Sequence, residues 1–301
     1  MKVIIIGGTG FIGKKLVRRM LLDGFEISVL GRNFSDELFT DPRIERISAD
    51  TMRGGPWQEA VANAEIIINL AGASIFTRWS NKTKKEIYES RILTTHNIVE
   101  ALRGKALPSR YLLNASAVGY YGDRQDEIID EGASGGDDFL ARLCRDWEKE
   151  AHEAAPYNTL VRVVRFGVVL GKHGGSFPKL VNIFKFLLGA ELGNGKQWFS
   201  WIHEEDLVNA LLFLIKNRDI EGPINGVSPN PVMNTELTRT LAKVVKRPLI
   251  LPPIPTFFLK FMLGEFSDVF LKGQRVQPKK LESEGFTFQF PKLEEALRNL
   301  L

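Results

Sequence analysis

The stretch from Lys2 to Gly13 constrains this chain most. Val3-Ile4-Ile5-Ile6 is a β-branched run that stops at Gly7-Gly8-Thr9-Gly10-Phe11-Ile12-Gly13, and Leu16, Val17, Met20 and Leu21 then recur at helical spacing. That order is strand, tight turn, helix. One glycine permits the turn, one removes a Cβ so that backbone N–H groups can approach a pyrophosphate, and one lets the helix pack on the strand. The helix N-terminus, with its unpaired N–H groups and positive dipole end, then faces the phosphates. Two spacings overlap here, Gly8-x-Gly10-x-x-Gly13 and Gly7-x-x-Gly10-x-x-Gly13. Either is weak alone. The strand before and the helix after supply the context the motif demands, so a dinucleotide site outweighs a turn that binds nothing. Gly7, Thr9, Gly10, Phe11, Ile12 and Gly13 are the expected contacts.

With 301 residues the chain is long enough for a nucleotide domain and a smaller appended one. A net charge of +4, scattered rather than gathered into a run, suits an anionic small ligand better than nucleic acid. Cys144 is the one cysteine, which excludes an intramolecular disulfide framework and a Cys-based zinc site; no metal is expected. That usage agrees with a reducing compartment. The N-terminal apolar run flows straight into the glycine turn and reads as a strand, not a signal peptide. The apolar stretch 249–263 is broken by Pro252, Pro253, Pro255 and Lys260, too short and interrupted to span a bilayer. The expectation is a cytoplasmic protein without a membrane partner, either monomer or homodimer.

Residues 26–30 read as a second strand ending at Gly31-Arg32-Asn33, where a nucleotide-binding unit of this kind selects its cofactor. An acidic side chain there would hold the ribose 2′-hydroxyl of NAD. Arg32 instead suits the 2′-phosphate of NADP(H). A third strand ends before Asp50, whose carboxylate could face the adenine amino group. A fourth ends in Leu70-Ala71-Gly72, small residues that let the backbone lie against the nicotinamide ribose. On the helix from Asn81 to Leu102, Arg91 sits within an apolar stripe through Ile87, Thr94, Ile98 and Ala101. A cation there snorkels outward or meets an anion, which makes Glu86 and Arg91 candidate ligand-side residues. A fifth strand leads to Ser116-Ala117-Val118-Gly119-Tyr120-Tyr121-Gly122. A sixth leads to Phe166-Gly167-Val168-Val169-Leu170-Gly171. Strand and helix patterns alternate to this point, which predicts an α/β, Rossmann-type, doubly wound parallel sheet. The expected division is 1–171 for the cofactor domain and 172–301 for a smaller mixed α/β substrate or lid domain. The chain could cross back to the sheet around 198–227, and a helix is expected over 177–188.

Gly7-x-x-Gly10-x-x-Gly13, Asn69-Leu70-Ala71-Gly72, the 116–122 segment and Trp201-Ile202-His203-x-x-Asp206-Leu207 together resemble an extended short-chain dehydrogenase/reductase of the nucleotide-sugar epimerase type. Further segments narrow the likeness: Arg165-Phe166-Gly167-Val168-Val169-Leu170-Gly171, Gly193-x-Gly195-x-Gln197-Trp198, Asn225-Gly226-Val227-x-Pro229 and Gly273-Gln274-Arg275-Val276-x-Pro278. They are similar to the atypical YfcH-like group of the epimerase/dehydratase family, loosely labelled SulA-type. The resemblance covers essentially the whole chain. It implies a Rossmann fold with NADP(H), cofactor contacts extending to Ser116, Gly167 and Leu170, and a reaction undefined even for the family.

One departure matters more than the match. Members of the wider family carry Tyr-x-x-x-Lys on the helix after the fifth strand. Aligned by Trp147-Glu148, those positions hold Leu140 and Cys144, neither of which can exchange the proton or supply the standing cation. Both also fall on that helix's apolar face. If chemistry occurs, another acid must serve, and Tyr120, Tyr121 and His203 are the candidates. For Tyr121, packing beside the cofactor is an equal alternative; for His203, capping the next helix is the stronger one. Two functions follow: an NADP(H)-dependent oxidoreductase or epimerase acting on an unidentified small carbonyl or carbinol compound, or a non-catalytic NADP(H)-binding sensor.

Overall fold

A computed structural model describes residues 1–103 and 109–301. The chain forms β1 (Lys2–Ile6), β2 (Glu26–Gly31), β3 (Ile44–Ser48), β4 (Ile66–Asn69), β5 (Arg110–Ala117), β6 (Thr159–Phe166) and β7 (Ile224–Gly226). These seven strands build one sheet in the order β7-β6-β5-β4-β1-β2-β3, all pairings parallel. The order reverses at β1, with β2 on one side and β4 on the other, and a crevice opens there beyond the C-terminal strand ends. Ile6 lies level with both Leu30 and Asn69, so the glycine turn starts at that crevice.

β1 is apolar throughout because both of its faces are covered. Val3 and Ile5 point into one core, Ile4 and Ile6 into the other. The second of these is roofed by α2 (Trp57–Ala62), α3 (Asn81–Arg103) and α4 (Phe139–His152) through Val61, Ile98 and Ala151. The first is roofed by α1 (Phe11–Leu22) and, after α5 (Phe177–Lys185), by α6 (Glu204–Lys216), through Leu16, Met20, Leu207 and Leu211. The polypeptide beyond Gly171 thus supplies α6 and β7 to the sheet layers. A third core joins α5 with α7 (Asn234–Val244) and α11 (Leu293–Leu300), through Phe177, Val181, Leu241 and Leu297. Between these last two lie α8 (Thr256–Leu263), α9 (Asp268–Leu271) and α10 (Lys279–Ser283). Among the described residues no helix is long and apolar enough to cross a membrane.

The helix expected over 177–188 stops early. Leu187 takes a left-handed φ of 61°, its N–H bonds to the Phe184 carbonyl, and the Leu188 N–H reaches the Ile183 carbonyl. That is the paired-bond termination usually made with glycine, and it leaves Phe186 and Leu188 exposed instead of continuing the apolar face.

At the glycine turn, Gly13 lies so close to the preceding loop that a Cβ there would sit 2.6 Å from the Gly8 Cα. Gly13→Ala is expected to destabilise the protein by about 1–3 kcal/mol, because backbone rather than a flexible side chain would have to move. Chemical denaturation checks this; unchanged stability would contradict the packing described.

Candidate functional site

The turn that opens α1 is shaped by what surrounds it. Gly7 has a φ of 77°, and a Cβ on it would stand 2.9 Å from the Ala71 nitrogen. The turn therefore presses against the end of β4. Gly10 is the N-cap of α1 and offers no side chain, so the first-turn N–H groups have no capping acceptor from the chain. Such a terminus accepts an anion well. Thr9 covers Gly31, where a Cβ would come within 2.6 Å of the Thr9 Cγ2. Ile12 faces the first core, and the Phe11 ring lies on the 171–175 loop where added Cβ atoms at Gly171 or Gly174 would collide with it.

Arg32 follows β2 on the exposed side of this turn. Nearby Lys14 and Arg18 both pair with Asp36, whereas Arg32 has no ion pair among the described residues. Asn33 accepts the Ser35 N–H at 3.0 Å and shapes the loop beside it. Asp50, exposed just past β3, accepts the Met52 N–H at 3.2 Å.

On the other side of the turn lies a cavity of ≈ 580 Å³, between the C-terminal ends of β4, β5 and β6, the first turns of α4, and the α8–α9 segment. Phe11, Leu70, Ala71, Gly72, Arg91, Ser116 and Gly167 line it. Arg91 does turn inward. Its guanidinium donates to the carbonyls of Ala73 (3.1 Å) and Ile87 (3.0 Å) and lies 5.2 Å from the Trp147 ring. Burial pulls its pKa below the usual arginine value. No carboxylate pairs with it among the described residues, so it remains a half-buried cation facing the cleft. Two of the expected residues are elsewhere. Glu86 is exposed on α3, one residue before the buried Ile87 and outside the cavity lining. The Leu170 side chain points into the third core, because Val168–Leu170 pairs with Trp201–His203 beneath α5.

Beside the cavity runs a polar network whose members fall in the motifs but whose contacts the motifs do not announce. Glu148 on α4 and Arg165 on β6 form a bidentate ion pair, at 2.9 and 2.7 Å, with both side chains almost fully buried. The Ser116 hydroxyl donates to Glu148 at 2.6 Å. Arg165 also donates to the Tyr121 hydroxyl at 2.9 Å, which in turn donates to Asn225 of β7 at 2.7 Å. The Tyr120 ring lies 3.5 Å from the guanidinium carbon, a cation–π contact. The signal in the sequence is a pair of arginines, Arg162 and Arg165, within the mostly apolar strand Thr159-Leu160-Val161-Arg162-Val163-Val164-Arg165-Phe166.

This network bears on the three candidate acids, none of which lines the cavity. Tyr121 has no exposed surface, both roles of its hydroxyl are committed, and burial pushes its pKa up to about 12. Tyr120 packs against Tyr121 and Arg165. The His203 Nδ1 accepts the Glu205 N–H at 3.1 Å, capping α6, and its ring stacks on Phe290 at 4.0 Å. Desolvation lowers its pKa to about 4, so it is neutral at neutral pH. Leu140 and Cys144, at the tyrosine and lysine positions of the wider family, both line the cavity. Burial raises the Cys144 thiol to about 11, which removes it as a thiolate nucleophile.

With this geometry the chain matches the NAD dependent epimerase/dehydratase family over residues 3–225. It belongs to that family. Residues 254–300 match a domain of unknown function, DUF1731. The chain is 40% identical over 303 residues to the chloroplastic epimerase family protein SDR39U1 homolog of Arabidopsis thaliana, covering 100% of this chain and 87% of that one. It is 36% identical over 302 residues to epimerase family protein YfhF of Bacillus subtilis, covering 100% and 98%. Human epimerase family protein SDR39U1 (isoform2), solved with NADPH, aligns with a TM-score of 0.87 at 30% identity, covering 100% of this chain and 99% of that one. UDP-glucuronic acid 4-epimerase from Bacillus cereus, in complex with NAD, shares the fold at a TM-score of 0.80 and 14% identity, over 99% and 96% of the two chains. The resemblance read from the motifs, to an extended short-chain dehydrogenase/reductase, holds over the whole chain.

Two outcomes are expected. Glu148→Ala leaves the Arg165 charge buried without a carboxylate and destabilises the fold by about 3–5 kcal/mol, most of it recovered in Glu148→Ala/Arg165→Met. Urea unfolding distinguishes this from a surface-like loss below about 1 kcal/mol. His203 has a folded pKa near 4, below its ordinary 6.5, so the unfolded chain binds the proton more readily. Its contribution, about 3 kcal/mol, is complete above about pH 6.5 and is lost as pH falls toward about 4. Subtracting the stability curve of His203→Gln from that of the native protein should isolate this slope; parallel curves would contradict it.

Proposed function

We propose that the cleft binds NADP(H) and that the protein acts as an oxidoreductase or epimerase on a small carbonyl or carbinol compound, without the Tyr-x-x-x-Lys pair of its wider family. The observation that carries this reading is Arg32, an exposed guanidinium without an ion pair among the described residues, standing where an acidic residue would hold the NAD ribose. The human relative solved with NADPH supports it. The N–H groups from Gly7 to Gly13 and the uncapped start of α1 would hold the diphosphate. Arg32 and Asn33 would take the 2′-phosphate, with Asp50 toward the adenine. Leu70, Ala71, Gly72, Arg91, Ser116 and Gly167 would border the nicotinamide half. When bound, the cofactor supplies a hydride donor or acceptor at nicotinamide C4.

The chain's own part in the chemistry is to position and to exclude water. The Ser116 hydroxyl is already given to Glu148, and Leu140 has no proton to offer. Neither of these two residues supplies the proton, which leaves solvent or another ionisable side chain at the cavity, such as Lys84 or Lys272, as its source. That same feature favours a second reading, a non-catalytic NADP(H) sensor, which steady turnover of any carbonyl compound would exclude. The single buried cysteine suits a reducing cytoplasm. We read 1–171, joined by α6 and β7 where the chain crosses back to the sheet, as the cofactor unit, and the rest of 172–301 as its cover and substrate side.

Arg32→Asp is expected to weaken NADPH binding about ten- to hundredfold while NADH binding changes by less than about twofold. Calorimetry with both dinucleotides reads this directly. Equal losses would mean that Arg32 does not contact the 2′-phosphate.

A further inference from the structure

The part of the cavity that the cofactor reading leaves free has a largely apolar wall. Ile75, Phe76 and Trp79 come from the loop after β4, Phe139 and Leu140 from the start of α4, and Val269 from α9. The Trp79 ring meets Phe139 at 5.2 Å and Phe266 at 5.7 Å, and Phe266 also meets Phe76 at 6.4 Å. These rings join the Rossmann side to the C-terminal segment across the cleft. The one polar atom of Trp79, its indole N–H, is spent on the Ile75 carbonyl at 3.0 Å, so the ring offers the cavity only apolar surface.

The charged groups at the rim are mostly neutralised by each other. Lys84 pairs with Glu265, and Lys272 with Asp268 at 2.7 Å. Asp138 accepts the Ala141 N–H at 2.9 Å as the cap of α4. Arg142 is different. It lines the cavity, it is exposed, its guanidinium donates to the Asp137 carbonyl, and it has no carboxylate partner among the described residues. The Asp137 carboxylate is taken by Arg145 at 3.3 Å. The side chains of Gln274 and Ser176 also line the cavity, and neither has a hydrogen bond among the described residues.

A sugar joined to a diphosphate carries many hydroxyl and phosphate oxygens, and each one buried without a partner opposes binding. The rings of this wall satisfy none of them, and beyond Arg91 on the nicotinamide side only Arg142, Gln274 and Ser176 offer unspent polar groups. The wall suits a body of carbon atoms with a single anionic group placed at Arg142. We infer that the substrate is a predominantly apolar, ring-containing or long-chain carbonyl compound bearing one carboxylate or phosphate, and not a nucleotide sugar. This rests on the cofactor reading for which end of the cavity remains open to substrate.

The probes are 2-naphthoate, its uncharged analogue 2-naphthylmethanol, and UDP-glucose, titrated calorimetrically into the NADPH-saturated protein. Naphthoate is expected to bind at least about tenfold more tightly than naphthylmethanol, and UDP-glucose more weakly than either. Arg142→Glu should weaken naphthoate about tenfold or more and naphthylmethanol less than about twofold, with NADPH affinity retained. Val269→Asp should weaken both aromatic probes, which places them in the cavity rather than on the apolar outer surface of α8. UDP-glucose binding more tightly than naphthoate, or naphthoate indifferent to Arg142→Glu, would overturn the inference. Each variant is also titrated with NADPH alone. If NADPH does not bind, the cofactor reading falls, and naphthoate titrated into the protein without NADPH still decides this one.

Discussion

The buried pair of Glu148 and Arg165 is the interaction on which the arrangement of the cleft depends. Two charges removed from water are costly unless they are paired and hydrogen-bonded, and here every nitrogen of the guanidinium and both carboxylate oxygens have a partner. The pair locks α4 to β6, Ser116 brings in the end of β5, and Tyr121 extends the chain to Asn225 on β7. Asn225 reaches further, donating its side-chain N–H to the Gln277 carbonyl and its backbone N–H to Glu131. One connected set of hydrogen bonds thus runs from the sheet's C-terminal edge into the C-terminal segment that covers the cleft. Such a set tolerates little relative movement, because breaking any member strands a buried polar group.

That rigidity has a chemical consequence. Of the two tyrosines near the cleft, Tyr121 has its hydroxyl committed to Arg165 and Asn225, and Tyr120 packs its ring on the Arg165 guanidinium. The helix that carries a proton relay in the wider family instead presents Leu140 and Cys144. The features assigned above to a dinucleotide lie beside them: the glycine turn, the uncapped helix and Arg32. The glycine turn and the apolar cavity wall thus stand side by side, with Leu140 and Cys144 between them.

Much of this was legible in the sequence. The six strands of the alternating pattern and the glycine turn could be read because each is a local feature, a β-branched run or a spacing that only one backbone path satisfies. Arg32 was legible because its place in the unit is fixed by the length of one strand-helix-strand segment. Leu140 and Cys144 could be placed against the family pattern for the same reason. The Glu148–Arg165 pair was not legible, since its members sit on different elements and their contact depends on the crossing of α4 over β6. Glu86 misled because a helix position shifted by one residue turns by about 100°, enough to carry a side chain from cleft to solvent. The direction of the Leu170 side chain was not legible, because strand alternation decides it and the pairing of Val168–Leu170 with Trp201–His203 is long-range. The cavity's apolar wall joins three distant segments, and only the fold assembles it.

A crystal structure of the NADPH complex tests the central claim most directly. The account requires the adenosine 2′-phosphate on Arg32, the nicotinamide in the cavity beside Leu140 and Cys144, and the Glu148–Arg165–Tyr121 bonds intact. A dinucleotide bound away from Arg32, or a Tyr121 hydroxyl released from Arg165 and Asn225 and turned to nicotinamide C4, would contradict it.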